Sequence, residues 1–270
     1  MPLLETYLLN QFAVFVLVAA RVGGLVATAP IFGSRAAPLT FRAFLVVALS
    51  LLITPLFADR PPADPNNMLI FGKYVLNETL LGLLLGVGVT ILLNGVQVTG
   101  QLIAQIGGTA IADVFDPTLD ENVPIYSQMF YFLTLAMFVL LDGHRLTAEA
   151  LLDTYQWLPP GKALLGESFV GVLTALLSQS FQLGVRAAAP AMTALLIATL
   201  VLGLISRTLP QINVIAVGFN ISALLSVGIL FFSLGAIAWA FPQQTVNALD
   251  LLRDAVREAA ELGKLTLSPS

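Results

Sequence analysis

The chain has 270 residues, of which 57% are hydrophobic and only 10% charged, with a mean hydropathy of +0.90 and a net charge of −4. Soluble domains carry about a quarter of their residues as charges, so a soluble globular enzyme, a disordered tail and a fibrous repeat are excluded and a polytopic membrane protein remains. The acidic pI near 4.9 argues against nucleic acid as a partner, because phosphate binding needs clustered Lys and Arg. The absence of Cys removes disulfides, thiolate metal sites and Cys nucleophiles.

A membrane-spanning helix needs about 20 apolar residues with few charges. The ionisable residues here are clustered, and Leu, Ala, Val, Ile and Phe fill long gaps between them. Taken in chain order, helices are predicted near 8–29, 39–57, 70–98, 99–112, 124–142, 168–205 and 212–240. The first carries Glu5 and no Lys or Arg in its opening twenty residues, so it reads as a retained helix and not as a signal peptide. Arg35 and Arg42 bracket the first connection, which favours the cytoplasm for that loop. The polar run Asp59 to Asn67 breaks the chain, as do the acidic segment Asp113 to Asn122 and Leu158-Pro159-Pro160-Gly161-Lys162. The 168–205 stretch is too long for one span, and Pro190 is expected to kink or divide it. Leu249 to Leu262 reads as a short amphipathic helix with Leu252, Val256 and Ala259 on one face and Arg257–Glu261 at pair spacing.

Chemistry is sparse. His144 is the only His, so no two-His metal site can form. Asp142-Gly143-His144 reads as a polar turn at a helix end, and Gly86-Val87-Gly88 lacks the third Gly of a dinucleotide fingerprint. Asp113, Asp116, Asp120 and Glu121 lack EF-hand spacing. No cofactor is expected. Three features stand apart. Arg21 lies inside the first apolar segment, where it either faces protein or water or snorkels to an interface. Gly82, Gly86 and Gly88, followed by Gly95 and Gly100, offer a small-residue face for close helix contact, within the chain or between chains. Gln97, Gln101 and Gln105 repeat every four residues on a charge-free helix, which suggests a polar interface or a water-filled path. With Glu78 and Arg186, Arg21 completes a set of three ionisable residues well inside apolar stretches. That is too few for an obvious proton relay in a self-contained transporter, and no internal repeat supports one.

The order of motifs along the chain resembles the flagellar biosynthetic protein FliR family and its injectisome relatives. The likeness rests on Arg21, Thr28-Ala29-Pro30-Ile31, Arg35 and Pro38. It continues through Gly100-Gln101-Leu102-Ile103, Phe115-Asp116-Pro117, Gly143-His144 and Leu158-Pro159. Its strongest block is Leu202 to Arg207, followed by Pro210-Gln211-Ile212-Asn213 and Val217-Gly218-Phe219. The chain departs from the family at Asn220, where Pro is frequent, and at Asp142, where Asn is common.

The resemblance implies an all-α fold of tilted helical hairpins, with six to seven hydrophobic helices plus the short C-terminal one. It implies one subunit over 1–262, P-like over about 1–165 and Q-like over about 166–262, with a flexible tail at 263–270. It further implies a non-enzymatic export-gate subunit in the bacterial inner membrane, at the flagellar basal body. The implied partners are the P and Q subunits, the B-type switch subunit, basal-body rod and ring proteins, membrane lipid and unfolded exported polypeptides. A plug loop is implied from about Gln105 to Asn122, with Gln105, Gly107, Gly108, Ile111, Phe115, Asp116 and Pro117. Structural and assembly roles are implied for Arg21, Pro30, Arg35, Gly82, Gly86, Gly143, His144, Arg207, Pro210, Gln211 and Gly218.

Overall fold

The structure is a computed structural model that describes residues 2–30, 38–57, 67–107, 124–163, 167–208 and 214–266. Every regular element among them is helical. In chain order these are α1 (Pro2–Thr28), α2 (Leu39–Ile53) with a short 3-10 extension Thr54–Phe57, α3 (Met68–Ile106), α4 (Ile125–Leu140), α5 (Gly143–Trp157), α6 (Glu167–Thr208) and α7 (Val214–Thr266). The all-α membrane fold expected from composition is therefore present. Among the described residues five helices are long and apolar enough to cross a bilayer, or six if α4 and α5 together count as one span.

Several boundaries differ from the sequence reading. The helices predicted at 70–98 and 99–112 are one helix of 39 residues. Gly95 and Gly100 do not interrupt it, because close neighbours take the place of their side chains. A Cβ on Gly95 would meet Ser180, and one on Gly100 would meet the backbone of Ser127. The 168–205 stretch is a continuous α6 of 42 residues that runs through Pro190. The amphipathic segment Leu249 to Leu262 is the end of a 53-residue α7 and not a separate short helix. Its Leu, Ala, Arg and Glu residues are strong helix formers, so the change from apolar to charged composition does not break the backbone. Leu252, Val256 and Ala259 are buried on one face, as their spacing requires. α5 has no counterpart among the predicted helices. It is too polar for a hydropathy reading, yet Gly143, Thr147, Ala150, Leu151, Thr154 and Tyr155 are all buried and fall on one helical stripe.

The chain forms two compact units. The first comprises Met1–Ile91, Asp142–Leu176 and Val246–Ser270, and the second comprises Leu92–Leu141 and Leu177–Thr245. The core of the first starts from α1, whose Val14, Leu17, Val18, Val22 and Leu25 are buried at helical spacing, and α1 meets the first half of α3 where a Cβ on Gly24 would strike Thr79 and Leu83. The end of α7 joins this unit through an Arg253–Asp153 ion pair at 3.2 Å. In the second unit, the rest of α3 packs on α4 and α6. Thr99 donates to the carbonyl of Gly184 at 3.0 Å, and Ser127 donates to that of Gln97 at 3.2 Å.

Candidate functional site

A buried charged node organises the first unit. Arg21 and Glu78 are both fully buried, and the guanidinium Nε donates to the Glu78 carboxylate at 2.6 Å. The other two guanidinium nitrogens are also satisfied. Nη1 donates to Thr154 Oγ1 at 3.0 Å and Nη2 to the carbonyl of Leu158 at 2.9 Å. The Tyr155 ring lies 4.1 Å from the guanidinium carbon, a cation–π distance. Its hydroxyl donates to the carbonyl of Val18 at 3.2 Å, and its ring packs on Phe57. The second oxygen of Glu78 accepts from the backbone N–H of Gly161 at 2.8 Å. A buried pair of this kind holds when its other polar groups are also paired, and here each guanidinium nitrogen and each carboxylate oxygen has a partner.

The Pro-Pro-Gly break explains how a loop reaches this node. Lys162 N–H donates to the carbonyl of Pro159 at 3.0 Å, with Pro160 and Gly161 at the corners of the turn. Gly161 has φ of 83°, which the third position of a type II turn requires and which only Gly meets without strain. The turn thereby presents the Leu158 carbonyl to Arg21 and the Gly161 N–H to Glu78. Next to it, Asn77 Nδ2 donates to the carbonyl of Ala163 at 3.0 Å.

Beside the node, α1 and α3 touch backbone to backbone. A Cβ on Gly82 would collide with the carbonyl of Arg21, one on Gly86 with Thr28 and Ala29, and one on Gly24 with the backbone of Thr79 and Leu83. Hydroxyls reinforce the contact, since Thr90 donates to the carbonyl of Thr28 at 2.7 Å. Gly82 and Gly86 thus form the close-packing face that their spacing suggests, and they form it within the chain. Gly88 belongs to another face, because six residues on a helix turn through about 240°. Its Cβ would meet the side chains of Leu252 and Leu176.

The remaining expected site residues are placed as follows. Pro30 and Gly143 are buried, whereas His144 and Arg207 are exposed. Gly218 lies near Leu202, whose Cδ1 would stand 3.5 Å from an added Cβ. Gln105 is exposed, while Gln97 and Gln101 are half-buried on the same side of α3. Gly107 follows α3 as a turn residue, and an added Cβ there would meet Ser226 Oγ at 2.8 Å. Arg35, Gly108, Ile111, Phe115, Asp116, Pro117, Pro210 and Gln211 lie outside the described residues. Among the described residues no cluster of three His, Cys, Asp or Glu could hold a metal.

Sequence reasoning missed the pairing of Arg21 with Glu78 and the roles of Thr154, Tyr155 and Gly161. Glu78 was visible as one of three ionisable residues inside apolar stretches, which was the available signal for its partnership with Arg21. The helix carrying Thr154 and Tyr155 could have been found from its stripe of small and apolar residues.

Long apolar helices, a buried internal ion pair and glycine-mediated backbone contact define an all-helical membrane protein. Its sequence places it more narrowly. The sequence pattern of bacterial export proteins, family 1, matches residues 12–248, and the chain belongs to that family, as its likeness to FliR proteins led us to expect. It is 27% identical to the flagellar biosynthetic protein FliR of Caulobacter vibrioides, over 89% of this chain and 96% of that protein. It is 28% identical to that of Escherichia coli, over 88% and 90%. It is 30% identical to that of Aquifex aeolicus, over 80% and 83%.

Proposed function

We propose that this chain is a non-enzymatic subunit of the flagellar type III protein export gate. In this reading it forms the export pore with P and Q subunits in the bacterial inner membrane, at the flagellar basal body, and unfolded flagellar polypeptides cross that pore. The observation that carries the reading is the match to bacterial export proteins over residues 12–248, together with flagellar biosynthetic relatives that align over most of both chains. The flagellar system is favoured over an injectisome by the names of those relatives. The B-type switch subunit and the basal-body rod and ring proteins are the further partners. The P-like part is 1–165 and the Q-like part 166–262.

Within this reading, the segment from Gln105 to Asn122 is the plug. Gly107 ends α3, and Ile111 and Phe115 supply apolar bulk to exclude water from a narrow pore. The Gln97, Gln101 and Gln105 side of α3 is the polar surface that leads to it, since exposed amides in lipid would lack partners. Arg21, Gly82 and Gly86 act one step earlier, by making the fold that partners recognise.

Purification from membranes in mild detergent tests the assembly. The chain should emerge with several small helical membrane partners, and a lone homo-oligomer would contradict the proposal. The plug has its own test. Deleting Gly108 to Phe115 should leave assembly intact and raise ion leak through the complex, and unchanged leak would remove the plug assignment.

A further inference from the structure

Hydroxyls on the apolar helices are commonly met by their own helix. Ser50, Thr134 and Thr245 are buried, and each donates to the carbonyl four residues back, at 2.6, 2.6 and 2.9 Å. Such bonds matter, because a buried hydroxyl without one keeps its full desolvation cost. Ser226 on α7 is different. It is fully buried, and its Oγ is the one buried hydroxyl oxygen among the described residues with no hydrogen-bond partner in the chain.

That hydroxyl lies against the end of α3. A Cβ added to Gly107 would stand 2.8 Å from Ser226 Oγ and 2.9 Å from the Ile103 carbonyl oxygen, with Leu195 Cδ1 of α6 at 3.7 Å. A donor and an acceptor thus flank one small space, and an apolar side chain walls it. The surroundings are closed, since Ile103, Leu195 and Gly107 are all buried. The Ile103 carbonyl accepts from the Gly107 N–H at 2.8 Å, which leaves it a lone pair for another donor. These four residues all belong to the second unit, so the space lies within one compact body.

We infer that an ordered water bridges Ser226 and the end of α3. It accepts from the Ser226 hydroxyl and donates to the Ile103 carbonyl. A buried water needs about two to four polar partners, and a bridge of this kind is nearly as good as a direct hydrogen bond. Two features of the sequence then share a cause. Position 226 carries a hydroxyl because the water needs an anchor on α7, and position 107 is Gly because a side chain would take the water's place. The terminal turn of α3, where helix carbonyls lack partners of their own, gains a donor. Gly107 is the last described residue before the segment assigned above as the plug, so the bridge fixes the point from which that segment starts. The inference rests on the contact between α3 and α7 and not on the export role, so its failure would leave that role standing.

The test uses the full complex purified from membranes in mild detergent. A density map that resolves ordered waters should show one within hydrogen-bond distance of both Ser226 Oγ and the Ile103 oxygen. A Ser226 hydroxyl turned back to the Ser222 carbonyl, or bonded directly to Ile103 with no water between, would overturn the inference. Hydrogen exchange at the Gly107 amide gives a second reading. Ser226→Ala removes one anchor and Gly107→Ala fills the space, so each should speed that exchange by about tenfold, while other helix ends keep their rates. Both changes remove the same water, so the double variant should exchange no faster than Gly107→Ala alone. Unchanged rates, or effects that multiply in the double variant, would show that the two residues share no water and would contradict the proposal.

Discussion

Two arginines interrupt apolar helices in this chain, and the protein handles them in opposite ways. Arg21 is fully buried and meets Glu78, Thr154, the Leu158 carbonyl and the Tyr155 ring. Arg186 is exposed on α6. In sequence they look alike, each a lone cation among Val, Ala and Leu. The difference lies in what the fold brings to them. Around Arg21, three separate segments converge with acceptors, so the charge becomes a structural tie. Arg186 instead stays on the outer surface of α6, exposed beside Gln182. A charge in an apolar helix therefore reports either an internal partner or a surface open to something outside the chain.

The sharpest way to break this comparison is to remove one side of the buried pair. Arg21→Leu leaves the Glu78 carboxylate with only the Gly161 N–H, and Glu78→Leu leaves the guanidinium without a counter-charge. Each should destabilise the chain by about 3–5 kcal/mol, read as a lowered unfolding midpoint in detergent and as lost assembly. Gly82→Leu comes next. Its side chain would have to displace the α1 backbone at Arg21, an overpacking cost of about 3 kcal/mol, and helix separation should appear as loss of folded protein. Gly161→Val keeps every side chain of the node but opposes the positive φ of the turn. A loss of about 1–3 kcal/mol in the same unfolding assay is expected.

Arg186 should behave more gently. Arg186→Lys keeps the cation and should leave membrane insertion and complex yield unchanged. Arg186→Leu removes an exposed cation and should change the unfolding midpoint in detergent by no more than about 0.5 kcal/mol. The smallest effect belongs to Asp142, the only described non-Gly residue with positive φ, at 55°. Asn adopts that left-handed conformation readily, so Asp142→Asn should shift stability by less than about 0.5 kcal/mol. A larger loss would mean that the Asp142 charge has a role its conformation does not explain.

Much of the fold was legible because apolar runs bounded by charge clusters translate directly into long helices. Gly82 and Gly86 announced a close contact through their four-residue spacing, while Gly88 misled because sequence proximity is not facial proximity on a helix. The node itself was only half legible. Arg21 demanded a partner on energetic grounds, but Glu78 lies 57 residues away, and local periodicity carries no information about pairing at that distance. The Pro-Pro-Gly break was recognisable as a turn. That its carbonyl and N–H would serve Arg21 and Glu78 depends on α5 holding the turn in place, and α5 escaped notice because its exposed face is polar.

The most direct measurement is the double variant Arg21→Leu/Glu78→Leu, compared with its two single variants by unfolding in detergent and by recovery of assembled complex. If the node works by mutual neutralisation, removing both charges should restore much of the stability lost by either single change. The double variant should then be more stable than each of them. Additive losses, with the double variant the least stable of the three, would show that the two residues act separately and would contradict this account.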